Sequence, residues 1–171
     1  MSTSEHEATL VDMRRFLQTQ FKERYRTFVV YAPPQKGKTR LACQLAETIS
    51  GGVYLDFLVY VTEHPELARQ VDILDVASVQ NIVINYAVEK RAKLLLVDEL
   101  DFLIHTWEPD LTAFKHMIAR GLSMAQTPAT IGFFVQTHPA LEKWSEERSL
   151  LNTLNQNRIL PIETVQMPSA L

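Results

Sequence analysis

Short apolar runs alternate with longer segments of helical periodicity along most of this 171-residue chain. The runs are rich in β-branched and aromatic residues, as buried strands are, and they fall at 27–32, 53–60, 93–98, 130–136 and 158–163. Strands that alternate with helices predict an α/β fold, in which a five-stranded parallel sheet is covered by helices on both faces. Because proline cannot donate to a central ladder, Pro161 predicts that the last strand lies at an edge of the sheet.

The same pattern divides the chain into an N-terminal helix within 1–24, a core at 25–163 and a flexible tail at 164–171. The first helix is expected over 8–21, where apolar residues recur at helical spacing: Leu10, Met13, Leu17 and Phe21. Further helices are expected at four places: after residue 40 up to Gly51, near 64–72, over 77–91 and over most of 139–156. One more is expected to begin at Asp110, whose side chain suits a helix cap.

Composition narrows the classes of function. The net charge of −3 argues against a protein that coats nucleic acid. A local basic cluster near the N-terminus is interpreted as a solvated helix face, with a DNA contact as the alternative: Arg14, Arg15, Lys22, Arg24 and Arg26. The single cysteine, Cys43, excludes a disulfide framework. Neither a signal peptide nor an apolar run long enough to span a bilayer is apparent, so we expect a cytoplasmic protein without a membrane partner.

The stretch "APPQKGKTR" at 32–40 lies between a predicted strand and a predicted helix, where a phosphate-binding loop belongs. Its Gly-Lys-Thr end is complete, but Ala32 stands where the usual pattern has its first glycine. A methyl group is tolerable there if φ stays negative. We expect the whole loop to bind the phosphates of a nucleotide, with Lys38 at the β- and γ-phosphates and Thr39 at Mg²⁺. Its residues are Ala32, Pro33, Pro34, Gln35, Lys36, Gly37, Lys38, Thr39 and Arg40.

A second motif, "LLLVDELDFL" at 94–103, places acids at the end of a buried strand. In a phosphate-binding-loop fold, an acid at the Asp98 position supports Mg²⁺. Glu99 is placed to orient or deprotonate the attacking water. Asp101 is interpreted as a solvated or capping acid, with a role in shaping the turn as the alternative. The two motifs together are far more specific than either alone.

Together, "APPQKGKT" and "VDELDFL" resemble the AAA+ class of P-loop ATPases, and most closely the clade of replication initiators and transposition ATPases. The resemblance covers residues 25–163. It implies a three-layer P-loop NTPase fold with strand order 5-1-4-3-2, Mg²⁺-dependent ATP hydrolysis and assembly into a homo-oligomer. It also implies a polar sensor at Gln136 and an arginine finger offered to a neighbouring subunit at Arg158, with Arg148 in reserve. The sequence contains no Asn-Lys-x-Asp guanine motif, which also favours ATP.

The chain departs from the AAA+ pattern because it ends about eight residues after the fifth predicted strand, so no C-terminal lid domain is expected. Its size and N-terminal helix resemble the small P-loop proteins of type III bacteriophage-exclusion defence systems. That resemblance implies a role in bacterial anti-phage defence, alongside other proteins of a multi-subunit system. Two other functions stay open: a nucleotide-gated adaptor with little turnover, and a small-molecule kinase.

Overall fold

Five parallel strands form the main sheet of the structure, a computed structural model that describes residues 9–167. In chain order the strands are β1 (Phe28–Ala32), β2 (Gly52–Asp56), β3 (Leu94–Asp98), β4 (Thr130–Gln136) and β5 (Ile159–Pro161). Their order across the sheet is β2-β3-β4-β1-β5, and every neighbouring pair is parallel. The predicted α/β class and five-stranded parallel sheet are therefore confirmed. Pro161 belongs to an edge strand, as its missing N–H group predicts.

Eight α-helices occur within residues 9–167. Their bounds are α1 (Met13–Gln20), α2 (Lys38–Thr48), α3 (Phe57–Thr62), α4 (Pro65–Ala68), α5 (Val76–Glu89), α6 (Asp101–Trp107), α7 (Thr112–His116) and α8 (Pro139–Trp144). A π-helical segment, Met117–Gly121, continues α7, and short 3₁₀ turns occur at Val71–Ile73, Arg148–Leu150 and Ile162–Thr164. No helix in this part of the chain is long and apolar enough to cross a membrane.

Helices cover both faces of the sheet, and on each face an apolar cluster packs the helices against the strands. On one face, alternate strand residues such as Val30, Leu96 and Phe134 pack with residues of α1 and α2. On the other face, alternate residues such as Val97 and Phe133 pack with residues of α3, α5, α6, α7 and α8. The central strands are buried on both sides, which is why their sequences read as nearly continuous apolar runs.

The first helix begins later than the sequence pattern predicts. Asp12 is its N-cap, and its carboxylate accepts hydrogen bonds from the backbone N–H groups of Arg14 and Arg15 at 2.9 and 3.3 Å. Leu10, expected on the apolar face of the helix, precedes that cap and is 59% exposed. Residues 1–8 of the predicted N-terminal region lie outside the described residues.

The prediction of one strand over 53–60 is wrong in its second half. The strand ends at Asp56, whose carboxylate accepts from the N–H group of Val59 at 2.9 Å and so caps α3. The apolar run "FLVY" is therefore the start of a helix. Periodicity alone does not distinguish a buried strand from a short buried helix.

The segment 139–156, predicted to be mostly helical, is helical only over Pro139–Trp144, apart from the 3₁₀ turn at Arg148–Leu150. Asn152 accounts for the non-helical end of the segment, because its Oδ1 atom accepts from the backbone N–H groups of Leu154 and Gln156 at 2.9 and 3.0 Å. Asparagine side chains that bind nearby backbone in this way compete with helix formation.

Part of the predicted tail has regular structure. Val165–Gln166 pairs in parallel with Val11–Asp12, so a second, two-stranded sheet joins the two ends of the described chain. Residues 168–171 of the predicted tail lie outside the described residues.

Candidate nucleotide-binding site

The loop between β1 and α2 has the backbone features that a phosphate-binding loop needs. Ala32 is the last residue of β1 and is fully buried. Its φ is not positive, so a methyl group is tolerated at this position in place of the usual glycine. Gln35 and Gly37 are left-handed, with φ values of 62° and 89°. Gly37 is also the N-cap of α2 and supplies no side-chain cap for its first turn. Turns of this kind, next to a helix N-terminus, form anion-binding concavities.

Asp98 is the polar centre of the site. Its side chain is completely buried at the end of β3. Its Oδ2 atom accepts hydrogen bonds from the hydroxyl groups of Thr39, at 2.6 Å, and Tyr54, at 3.1 Å. Its Oδ1 atom accepts from the backbone N–H group of Glu99 at 2.9 Å. Donors on both oxygen atoms hold this buried carboxylate in one orientation.

Lys38 lies between two carboxylates rather than pointing into solvent. Its Nζ atom is 3.9 Å from Oδ1 of Asp98 and 3.9 Å from Oδ2 of Asp101, and its side chain is only 10% exposed. Asp101, the first residue of α6, also accepts from the backbone N–H group of Gln136 at 2.7 Å. Asp101 therefore links the loop to the end of β4. Its interpretation as a solvated or capping acid is wrong, and its position fits the alternative of a role in shaping the turn.

Glu99 has a strained backbone and a perturbed carboxyl group. Its φ of 60° is in the left-handed region, which costs a residue with a side chain roughly 1 kcal/mol or more and is often found at functional sites. Burial, followed by the negative charge of Asp98, raises the pKa of Glu99 above its ordinary value. A raised pKa brings a carboxylate closer to the range useful for accepting a proton near neutral pH.

The predicted loop and sensor residues line one cavity of about 330 Å³. Its walls are Pro34, Gln35, Lys36, Gly37, Lys38, Thr39, Arg40, Glu99 and Gln136. The fold thus brings Glu99 and Gln136 to the same cavity as the loop, although about 60 and 100 residues separate them from it in sequence. Ala32 and Pro33, the first two residues of the predicted loop, do not line this cavity.

A second cavity of about 600 Å³ adjoins the loop and shares Lys36 with the first. Its other lining residues come from the ends of β1, β4 and β5 and from α8: Tyr31, Pro33, Thr137, Glu142, Ile162 and Glu163. Apolar surface from Pro33 and Ile162 thus lies beside polar groups from Thr137 and Glu163.

Arg158, predicted as an arginine finger, is buried in the core. It is 4% exposed, and its guanidinium donates to the backbone carbonyls of Tyr25, Thr27, Ile118 and Ala119 at 2.9 to 3.3 Å. A finger must present its guanidinium to a neighbouring molecule, so this conformation makes Arg158 a structural residue instead. Arg148, the reserve residue, is exposed in the turn after α8.

The site has the donor chemistry that Mg²⁺ requires. No group of three or more His, Cys, Asp or Glu residues that could hold a metal occurs within residues 9–167. Mg²⁺ does not need one, because it keeps several waters and binds proteins through one or two carboxylates together with substrate phosphates. The oxygen atoms of Thr39 and Asp98, 2.6 Å apart, fit that mode of binding.

Comparison with protein-family models, with curated proteins and with solved structures found no match for this chain.

Two residues of the site were missed or undervalued in the sequence. Tyr54 in β2 reaches Asp98 only because β2 and β3 are neighbours in a particular register, with Asp56 opposite Asp98. Asp101 follows the second motif directly, and its spacing of three residues from Asp98 is the one signal that could have indicated a shared role.

Proposed function

We propose that this chain binds ATP with Mg²⁺ at the loop between β1 and α2 and hydrolyses it. The observation that carries the proposal is the convergence of both sequence motifs on one point. One cavity is lined by Lys38 and Thr39 from the loop and by Glu99 from the second motif. The buried carboxylate of Asp98, also from the second motif, accepts a hydrogen bond from Thr39 and lies close to Lys38. Neither motif alone would require the other to lie within hydrogen-bonding distance.

The roles of the residues follow from their positions. The first-turn N–H groups of α2 and the ammonium of Lys38 would hold the phosphates. Thr39 and Asp98 would hold Mg²⁺, which when bound neutralises charge that develops on the phosphates. Glu99 would accept a proton from the attacking water, and Gln136 would hydrogen-bond that water or the γ-phosphate. Asp101 would keep Lys38 and the end of β4 in place.

The arrangement of the sheet supports a P-loop NTPase fold. The loop follows β1 and the acids follow β3, with β4 between these two strands and β5 on the outer side of β1. Only the strands of the main sheet are numbered here, and the two short strands of the second sheet are left out. With that numbering, the placement is compatible with the strand order that the AAA+ resemblance implies. The 600 Å³ cavity beside the loop is of a size to receive the base and ribose.

One observation favours the alternative of a nucleotide-gated adaptor with little turnover. Arginine fingers contribute about 10³–10⁵ in rate, and Arg158 is buried among four carbonyls. A homo-oligomer would then depend on Arg148, or on a residue of another protein, for full activity. From the resemblance to small P-loop proteins of type III bacteriophage-exclusion systems, we also propose a role in bacterial anti-phage defence within a multi-subunit system.

The variant Glu99→Gln tests the enzymatic proposal. It removes the proton acceptor while keeping the size of the side chain, so ATP binding should persist while phosphate release falls at least about 100-fold. Glu89→Gln, an exposed acid on α5, is the matched control and should behave as the wild type. Binding of ATP by the wild type without measurable phosphate release, at any protein concentration, would favour the adaptor instead.

A further inference from the structure

Tyr54 reaches the nucleotide site from a strand that contributes neither of the two motifs. In the parallel register of β2 and β3, Tyr54 lies opposite Leu96, two residues before Asp98. Side chains two residues apart on a strand share a face, so Tyr54, Leu96 and Asp98 all lie on the side of the sheet covered by α2. The tyrosine ring runs along this face, and its hydroxyl donates to Oδ2 of Asp98 at 3.1 Å.

The hydroxyls of Tyr54 and Thr39 share one acceptor atom. Both donate to Oδ2 of Asp98, while Oδ1 receives the N–H group of Glu99 and lies 3.9 Å from the ammonium of Lys38. No other acceptor for the Tyr54 hydroxyl is found within residues 9–167. The donors on both oxygens fix the plane of the carboxylate, and Tyr54 is the one among them that lies outside the two motifs.

The orientation of Asp98 decides what Thr39 can offer a cation. A threonine hydroxyl has one proton and two lone pairs. While its proton is donated to Oδ2 of Asp98, its lone pairs stay available for another partner. If the carboxylate rotated, the Thr39 hydroxyl would lose its fixed acceptor and could turn its proton toward the loop cavity, where a cation would be repelled.

We propose that Tyr54 is a positioning residue of the Mg²⁺–nucleotide site, which holds Asp98 so that Thr39 presents its lone pairs to the cation. This inference rests on the proposed nucleotide function. It predicts that loss of the hydroxyl weakens the contribution of Mg²⁺ and leaves the contacts between the loop and the phosphates intact. Groups that orient metal ligands from behind typically contribute about 10–100-fold to metal affinity.

The alternative role for Tyr54 is packing alone. Its ring packs against the apolar cluster that includes Leu41, Leu45 and Leu96. Replacement by phenylalanine keeps that ring and removes only the hydroxyl. A packing role therefore predicts no change in how binding depends on Mg²⁺, which separates the two explanations.

The test is calorimetric binding of a non-hydrolysable ATP analogue to the full chain, at a series of Mg²⁺ concentrations and in EDTA. For Tyr54→Phe we expect the Mg²⁺ concentration at half-maximal binding to rise about 10-fold. Affinity in EDTA should stay within about 2-fold of the wild type, since the loop is unchanged. Tyr86→Phe, on α5, is the matched control and should show the wild-type Mg²⁺ dependence.

The outcomes distinguish this inference from the function on which it rests. Nucleotide binding by the wild type with an unchanged Mg²⁺ dependence in Tyr54→Phe would overturn the role of Tyr54 and leave the site in place. A wild type that binds no nucleotide, with or without Mg²⁺, would overturn both. If the phenylalanine variant does not fold, Tyr54→Met also lacks the hydroxyl while retaining an apolar side chain, and the same titration decides.

Discussion

Replacement of Arg158 by alanine separates a structural arginine from a catalytic one. The guanidinium is buried and donates to four backbone carbonyls, which belong to Tyr25, Thr27, Ile118 and Ala119. These carbonyls come from the segment before β1 and from the π-helical segment after α7, so one side chain joins two distant parts of the chain to β5. Truncation to alanine would remove all four of these hydrogen bonds.

The expected cost follows from the two shortest of these bonds, both at 2.9 Å. A hydrogen bond that involves a charged group contributes about 1.5–3 kcal/mol net. The free energy contributed by these hydrogen bonds is offset in part by the cost of burying the charged guanidinium. The same burial lowers the pKa of Arg158. We therefore expect Arg158→Ala to reduce the free energy of unfolding by about 3 kcal/mol. For a chain of this size that corresponds to a fall in Tm of roughly 10 °C.

Urea denaturation, followed by circular dichroism, measures this cost directly. Arg148→Ala is the control, because Arg148 is exposed and its truncation should change stability by no more than about 0.5 kcal/mol. ATP turnover of both variants is measured below their melting temperatures. An Arg158→Ala protein that is as stable as the wild type but has lost turnover would refute the structural role and restore the finger.

Two further predictions concern the core and the site. Gly132→Ala should reduce the free energy of unfolding by about 1–3 kcal/mol, because the added Cβ would lie 2.4 Å from Cζ of the buried Phe28 ring. In Gly121→Ala the nearest atom to the added Cβ would be Oε1 of the Gln80 side chain at 3.2 Å, so this variant should cost less in the same urea titration. Equal costs for the two variants would contradict the clash with Phe28. Glu99→Gln should raise stability at pH 7 in metal-free buffer. The raised pKa of Glu99 contributes stability that is present at low pH and is lost as the pH rises through that pKa, so the variant's advantage should shrink toward pH 4.5. A stability difference between Glu99→Gln and the wild type that grows as the pH falls would contradict a raised pKa of Glu99.

The sequence was sufficient for the central sheet and for the loop. The runs at 93–98 and 130–136 are apolar throughout, because helices cover both faces of the strands there. The loop and the acids were recognisable because their chemistry is local: each needs a few residue types at fixed spacing, directly after a buried strand. In the structure Lys38 and Asp98 converge, because parallel strands end at the same edge of a sheet.

Features that depend on strand register, or on local hydrogen bonds that compete with regular structure, could not be predicted from the sequence. The end of β2 at Asp56 is decided by one capping carboxylate, and the early end of α8 is followed by a loop built on Asn152. The contact of Tyr54 with Asp98 requires the register of two strands, which the chain pattern does not specify. Arg158 looked like a finger because only its place in the chain was visible, whereas its burial depends on how residues 25–27 and 118–119 meet β5.

The binding of ATP and Mg²⁺ by the loop is the central claim, and calorimetry with the wild type and Lys38→Met tests it most directly. The methionine keeps most of the side chain's length and removes the ammonium that lies 3.9 Å from Asp98 and Asp101. The wild type should bind a non-hydrolysable ATP analogue with Mg²⁺, and the variant should bind it at least about 10-fold more weakly, a loss of about 1.4 kcal/mol. Lys90→Met, an exposed lysine after α5, should bind as the wild type does. Equal affinities of wild type and Lys38→Met, or no binding by the wild type, would contradict a nucleotide site at this loop.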